Sequence, residues 1–341
     1  MTVRNRLKFS LISVSLLIFW AAPAHAADLK LANLGNFTLE SGASIKDCRM
    51  GYRTFGRLNE RRSNAILFPS WFGGNSEDLE EFVGPGKMLD PEQYFIVLID
   101  ALGDGVSSSP SNSPTQPKSQ FPRITMRDMV NSGYLLATRE LGLKHVHAVL
   151  GISMGGMQTF QWIVSYPDFM DAAIPIVGST QLTSYDRLLW TTQARTIELH
   201  LQHGDETGAM SEAALIEALI LTTPANVAAT VKREDFDKFI AQTIADERTN
   251  PYDHLSQLNA ILSLDVSPAG GTPEDAAKLV KAKLLVIPSR QDHLVNPLPA
   301  MRFAEALRAP MLVLENDCGH LETSCQRAVL TAAVRGFLSE N

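Results

Sequence analysis

The sequence predicts an α/β fold: a mostly parallel central sheet with helices on both faces and a helical cap inserted late in the chain. Three observations carry this. Short apolar runs recur without polar alternation, as in strands covered on both sides. Helical stretches separate most of them, the order that builds a parallel sheet. The strand pattern lapses between about Ser179 and Ala282 and resumes at Lys283.

The runs are Ala65 to Phe68, Phe95 to Ile99, Val146 to Leu150, Ala172 to Val177, Leu284 to Ile287 and Met311 to Leu314. Residues Asp28 to Arg57 read as a β-rich lead-in. A helix is expected from Thr125, where Asp128 three residues on gives a capping-box start. Met126, Met129, Val130 and Ala137 share one of its faces, and Gly142 can close it. Ser107 to Pro117 reads as a loop. Glu212 to Leu221 and Glu234 to Ile244 read as helices inside the insertion. The expected organisation is a signal peptide over 1–26, a core over 27–178 and 283–341, and a cap over 179–282.

The first 26 residues follow the order of a secretory signal. Arg4, Arg6 and Lys8 precede an apolar stretch from Phe9 to Ala22, and Ala24-His25-Ala26 offers a small-x-small cleavage site. That stretch is shorter than the ~20 residues a membrane span needs. The mature chain is therefore expected in the periplasm or outside the cell, without stable membrane insertion. An exported chain can oxidise its cysteines, but Cys48, Cys318 and Cys325 are odd in number. A Cys318–Cys325 bridge is open, and at least one thiol has no partner.

Bulk composition narrows the function. Hydrophobic residues make up 45% of the 341 residues, enough for a well-filled core, and the net charge of -7 argues against nucleic acid as a partner.

The most specific feature is Gly151-Ile152-Ser153-Met154-Gly155, between the run ending at Leu150 and a helix-like stretch carrying Met157, Phe160 and Val164. A serine on a tight strand-to-helix turn is backbone-strained, and flanking glycines relieve the crowding. Its hydroxyl then stands at a helix N-terminus, where the dipole and the Met154 N–H favour developing negative charge. A serine needs a base, and on such an elbow the acid and then the histidine follow in chain order. His320, on a glycine loop after Met311 to Leu314, is the expected base. Asp292, after Leu284 to Ile287, is the expected acid, with Asp265 and Asp317 as rivals. A second oxyanion donor is expected from the loop after the first run, at the backbone N–H of Trp71. Phe72, Gly73 and Leu321 are expected near the substrate.

GISMGGMQ (Gly151 to Gln158) resembles the nucleophile motif of the homoserine O-acetyltransferase family, within the α/β-hydrolase superfamily. FPRITMRDMV (Phe121 to Val130) and VGPGKMLDPEQYFIVLIDALGDGVSSSPSN (Val83 to Asn112) are similar to further family segments, and the Asp292 and Gly319-His320 contexts match its acid and histidine. The likeness runs from about Asn64 to Gly178 and from Lys283 to His320. It implies an acyl-enzyme chemistry at Ser153, Asp292 and His320. The family's usual His-Ala-Leu-Thr-Gly loop is here Pro69-Ser70-Trp71-Phe72-Gly73. The aspartate that follows its histidine is here Leu321, which cannot pair with an ammonium group. Its carboxylate-binding arginine has no counterpart, and Glu322 is one position off.

Together with export, these departures favour water as acceptor and an ester, amide or thioester as substrate. Acyl transfer to a hydroxyl and ligand binding without catalysis are the alternatives. A small acyl compound is the expected partner, a homodimer is compatible with the sequence, and neither cofactor nor metal is expected. His200 and His203, beside Asp205 and Glu206, read as a solvated helix end. His145 and His147, at a strand start, read as surface residues.

Overall fold

A computed structural model describes residues 27–247 and 249–340; the signal-peptide reading of 1–26 lies outside them. Seven strands form one sheet in the order β1-β2-β4-β3-β5-β6-β7. The lead-in supplies β1 (Lys30–Thr38) and β2 (Ser44–Phe55), paired antiparallel, and β2 joins β4 (Phe95–Ile99) antiparallel. Every other pairing is parallel, through β3 (Ala65–Pro69), β5 (Val146–Ile152), β6 (Met170–Ile176) and the two-residue β7 (Lys283–Leu284). The last apolar runs continue the sheet only through single bridges: Ile287 to Ile176, Met311 to Val286 and Leu314 to Ser289.

The apolar runs lack alternation because both faces are covered. Leu67, Val97, Val149 and Ala173 enter one core, with Met126, Met129 and Val130 of α1 (Met126–Leu135), and Met157, Phe160 and Ile163 of α2 (Met154–Ser165). Ile66, Phe68, Ile96, Leu98, Leu150 and Ile174 enter the other, beneath Leu79 and Phe82 and the C-terminal helix residues Leu330, Val334 and Leu338. Each such Val, Leu, Ile, Phe or Met side chain, fully buried, contributes about 1.5–3 kcal/mol. Thr125 and Asp128 form the expected capping box of α1. A π-helical turn, Leu136–Glu140, follows it, and Gly142 turns the chain at φ +61°.

Between β6 and β7 the chain is helical: α3 (Ser184–Gln202), α4 (Glu206–Ala218), α5 (Pro224–Thr230), α6 (Phe236–Asp246), α7 (Pro251–Leu262) and α8 (Pro273–Ala277). Side chains of Thr183, Asp205, Thr223, Asn250 and Thr272 cap five of these, satisfying N–H groups that a helix start leaves open. Among the described residues the sole β pairing within this stretch joins Gln181 to Asp265. After β7 come α9 (Leu298–Leu307), α10 (Glu322–Cys325) and α11 (Arg327–Ser339). No described helix is long and apolar enough to cross a membrane.

One histidine departs from its expected place. His145 is partly exposed and bonds Asp171, but His147 is buried, stacked on Tyr94, with Nε2 at 3.1 Å from the Leu338 carbonyl oxygen. The reason is tertiary: α11 folds back over the start of β5 from the far end of the chain.

Candidate active site

Ser153 is the residue between β5 and α2. Its φ of 57° and ψ of -121° are costly for a residue with a β-carbon, so the surroundings must impose them. They do so through close backbone approach. The Ser153 N–H donates to the Ile176 carbonyl at 2.9 Å. A β-carbon at Gly155 would come within 2.5 Å of the Pro69 carbonyl oxygen, so only glycine lets α2 start this near β3. Gly151 is as crowded, against the Gly155 backbone.

His320 and Asp292 reach the same point from other segments. Asp292 stands on the loop after β7, with its side chain 1% exposed. Its Oδ1 accepts the N–H groups of Leu294 (2.9 Å) and Val295 (2.8 Å). Its Oδ2 lies 2.6 Å from His320 Nδ1. A carboxylate can only accept, so Nδ1 carries the proton and Nε2 keeps its lone pair. Ser153 Oγ lies 2.8 Å from Nε2 and donates to it. The histidine loop is pinned twice: the His320 N–H donates to the Leu221 carbonyl at 3.0 Å, and Ser289 Oγ donates to the Gly319 carbonyl at 2.7 Å. A disulfide between Cys318 and Cys325 brackets it. Cys48 stays a buried free thiol, whose pKa burial pushes up to about 12.

The rival acids are elsewhere. Asp265 accepts from Gln181 and Ser267, and the Asp317 backbone carbonyl accepts from Thr223. His293, next to Asp292, faces solvent.

The sequence-predicted amides lie close by. Met154 is the first residue of α2, so its N–H has no acceptor within the helix. The Trp71 N–H has no hydrogen-bond acceptor among the described residues. Its loop is held from both sides: Gln158 Nε2 donates to the Ser70 carbonyl (3.1 Å), and Ser70 Oγ accepts the Ala101 N–H (3.1 Å).

A cavity of about 280 Å³ opens over Ser153 and His320. Trp71, Phe72, Leu321, Met157, Trp190 and Leu294 make it largely apolar. Gly73 lies outside it and lines a neighbouring cavity, because its N–H turns to Gln257 Oε1 at 3.0 Å. Glu322 also turns away: it is buried, with its oxygens taken by the Asn316 N–H (2.6 Å) and Gln326 Nε2 (2.7 Å). Glu217 of α4 does line the cavity, and sequence reasoning missed it. Its one signal was an acidic residue inside the otherwise apolar stretch Ala213 to Leu221. His200 bonds Asp205 at 2.8 Å and His203 ends α3. Among the described residues no group of three His, Cys, Asp or Glu side chains is arranged to hold a metal.

The serine, the carboxylate and the imidazole follow one another in that chain order, and residues 64–322, which hold all three, fit the model described as alpha/beta hydrolase fold. The chain belongs to the α/β-hydrolase family. This α/β-hydrolase is 39% identical over 170 residues to a probable esterase of Corynebacterium glutamicum, a match covering 49% of each chain. It thus spans about half the length of that curated relative. It is 29% identical over 336 residues to a homoserine O-acetyltransferase of Methanococcoides burtonii, covering 84% of this chain and 67% of the relative. Its fold superposes on the acetyl esterase MekB with a TM-score of 0.83 at 26% identity, over 92% of this chain and 96% of that one. The resemblance to homoserine O-acetyltransferases expected from GISMGGMQ is therefore shown, alongside a likeness to esterases.

Proposed function

We propose that this α/β-hydrolase is a serine esterase for short acyl groups such as acetyl. The observation that carries the reading is the unbroken chain from Asp292 Oδ2 through His320 to Ser153 Oγ, at 2.6 and 2.8 Å. Ser153 Oγ attacks the ester carbonyl while its proton passes to His320 Nε2. The Met154 and Trp71 amides stabilise the resulting oxyanion. The intermediate collapses, His320 returns the proton to the leaving alcohol, and an acyl-Ser153 remains. Water then attacks this acyl group, gives its proton to Nε2, and the acid leaves as Ser153 recovers its hydrogen. Asp292 fixes the imidazole tautomer and stabilises the imidazolium.

Short acyl groups are favoured by the likeness to the acetyl esterase MekB and to a homoserine O-acetyltransferase, both named for the acetyl group. Hydrolysis is favoured over transfer by the residues that would hold a zwitterionic acceptor. Leu321 stands where the family's ammonium-binding aspartate would, Glu322 is already bonded, and, although Glu217 could meet an ammonium group, no lysine or arginine lines the cavity among the described residues to take the acceptor's carboxylate. We further propose that residues 179–282, with α3 to α8, form a cap over the site, and that residues 1–26 direct the chain out of the cytoplasm to a compartment where acetyl-CoA is not at hand. The test is covalent labelling of Ser153 by a fluorophosphonate, with hydrolysis of esters graded in acyl length. Labelling with acetates hydrolysed fastest supports the reading; no labelling of the folded protein overturns it. Acetyl-CoA turnover with homoserine at the rate of ester hydrolysis would restore the transferase.

A further inference from the structure

Glu217 is the one acidic side chain from the helices between β6 and β7 that lines the Ser153 cavity. It also lines two adjoining cavities, of about 400 and 600 Å³, so it stands at their junction. Its Oε1 accepts from Gln193 Nε2 at 3.1 Å and faces His254 Nε2 at 3.6 Å, beyond hydrogen-bond reach. Its Oε2 has no hydrogen-bond partner among the described residues, and the side chain keeps 23% exposure toward the cavities.

Nothing cationic answers it. Among the described residues no lysine or arginine lines any of the three cavities. His254 is 2% exposed, neither ring nitrogen has a hydrogen-bond partner, and burial drives its pKa down to about 3, so it is neutral. Burial raises the Glu217 carboxyl to about 7, with Glu247 adding to the rise and Gln193 and His320 opposing it. A second polar group waits in the same cavity: Trp190 is 1% exposed and its indole N–H is unpartnered. A half-buried acceptor and a buried donor, both unmet, are costly unless something else completes them.

We propose that Glu217 is a specificity-determining residue that accepts a hydrogen bond from a hydroxyl or ammonium group on the alcohol part of the ester. The assignment rests on the esterase reading above. With an acyl part of acetyl size, the alcohol is the part long enough to occupy the cavity toward α4. The Trp190 N–H donates to the same hydroxyl when the alcohol carries one, and the apolar walls take its methylenes.

The test uses matched acetates of equal heavy-atom count: 3-hydroxypropyl against butyl, and 3-(dimethylammonio)propyl against 4-methylpentyl. The unsubstituted protein should show a kcat/KM preference of about tenfold or more for each donor-bearing ester. Glu217→Leu should bring both ratios to about one. Glu217→Gln, which keeps the shape and an acceptor oxygen, should retain the hydroxyl preference and lose most of the ammonium one. Ratios near one in the unsubstituted protein, or unchanged ratios in Glu217→Leu, overturn the assignment while leaving the esterase standing. A Glu217→Gln variant with an undiminished ammonium preference overturns it too. No hydrolysis of any of the four, with no fluorophosphonate labelling, brings down the esterase reading itself and the assignment with it.

Discussion

The backbone N–H of His320 donates to the carbonyl of Leu221 at 3.0 Å. The imidazole that faces Ser153 is thus held by chain just beyond α4, the helix that brings Glu217 into the cavity. Position of the base and shape of the substrate pocket depend on one helix end.

Removing the nucleophile or the base should have the largest effect on turnover. Ser153→Ala and His320→Ala are each expected to lower kcat by about 10⁴–10⁶, with folding intact by circular dichroism. Losses below about tenfold in both would mean that the chemistry lies elsewhere.

Asp292→Asn keeps the size of the side chain but not its acceptor character at both oxygens. The amide can no longer take the Leu294 and Val295 N–H bonds and the His320 proton together. The expected loss in kcat is about 10⁴, with KM for a short acetate changed by less than a few-fold. A KM effect dominating the loss would count against an orienting role.

Gly155→Ala tests the turn. The added carbon lies 2.5 Å from the Pro69 carbonyl oxygen, where neither backbone can yield without moving β3 or α2. The fold should lose about 2–4 kcal/mol in chemical denaturation. A loss under about 0.5 kcal/mol would show that the approach is not tight.

Much of this was legible in the sequence, for physical reasons. A buried parallel strand shows itself as an unbroken apolar run, and β3 to β6 were read that way. Gly151, Ser153 and Gly155 were legible because a strained elbow restricts those positions to few residues. Asp292 was separable from Asp265 by its place after a strand run. What stayed hidden depends on docking between distant segments. His147 was read as surface because the covering residues, Tyr94 and Leu338, are remote in sequence. Glu217 drew no reading, because which face of α4 turns inward is set by its packing against α3 and α7. The pairing of Cys318 with Cys325 was open because three thiols allow more than one choice.

That disulfide should stiffen the histidine loop. Closing so short a loop is worth about 2 kcal/mol. Cys318→Ser with Cys325→Ser, or a reductant on the unsubstituted protein, should lower the melting temperature. The double variant should also lose kcat more than it changes KM, since Gly319 and His320 lie inside the bridge. Equal melting curves with and without reductant would remove the bridge from the stability of the fold.

Glu217 gives a pH signature. Its carboxyl is raised from 4.5 to about 7 in the fold. The native state then binds more protons than the unfolded chain between those values, so stability falls as pH rises across them. Glu217→Gln has no such slope. Its melting temperature should exceed that of the unsubstituted protein at about pH 8, and the gap should close toward about pH 4.5. A gap that does not vary with pH would mean that the carboxyl ionises in the fold as it does in water.

β6 and β7 are immediate neighbours in the sheet, with Ala172 beside Lys283, although the whole helical series lies between them in the chain. Ser153 precedes that series, and Asp292 and His320 follow it. Grafting the helices of another α/β-hydrolase between Ile176 and Lys283 therefore leaves the three groups on their own segments of the core. The graft has to return one carbonyl to the place of Leu221, and with that kept, substrate preference becomes a property that can be transplanted separately from the chemistry.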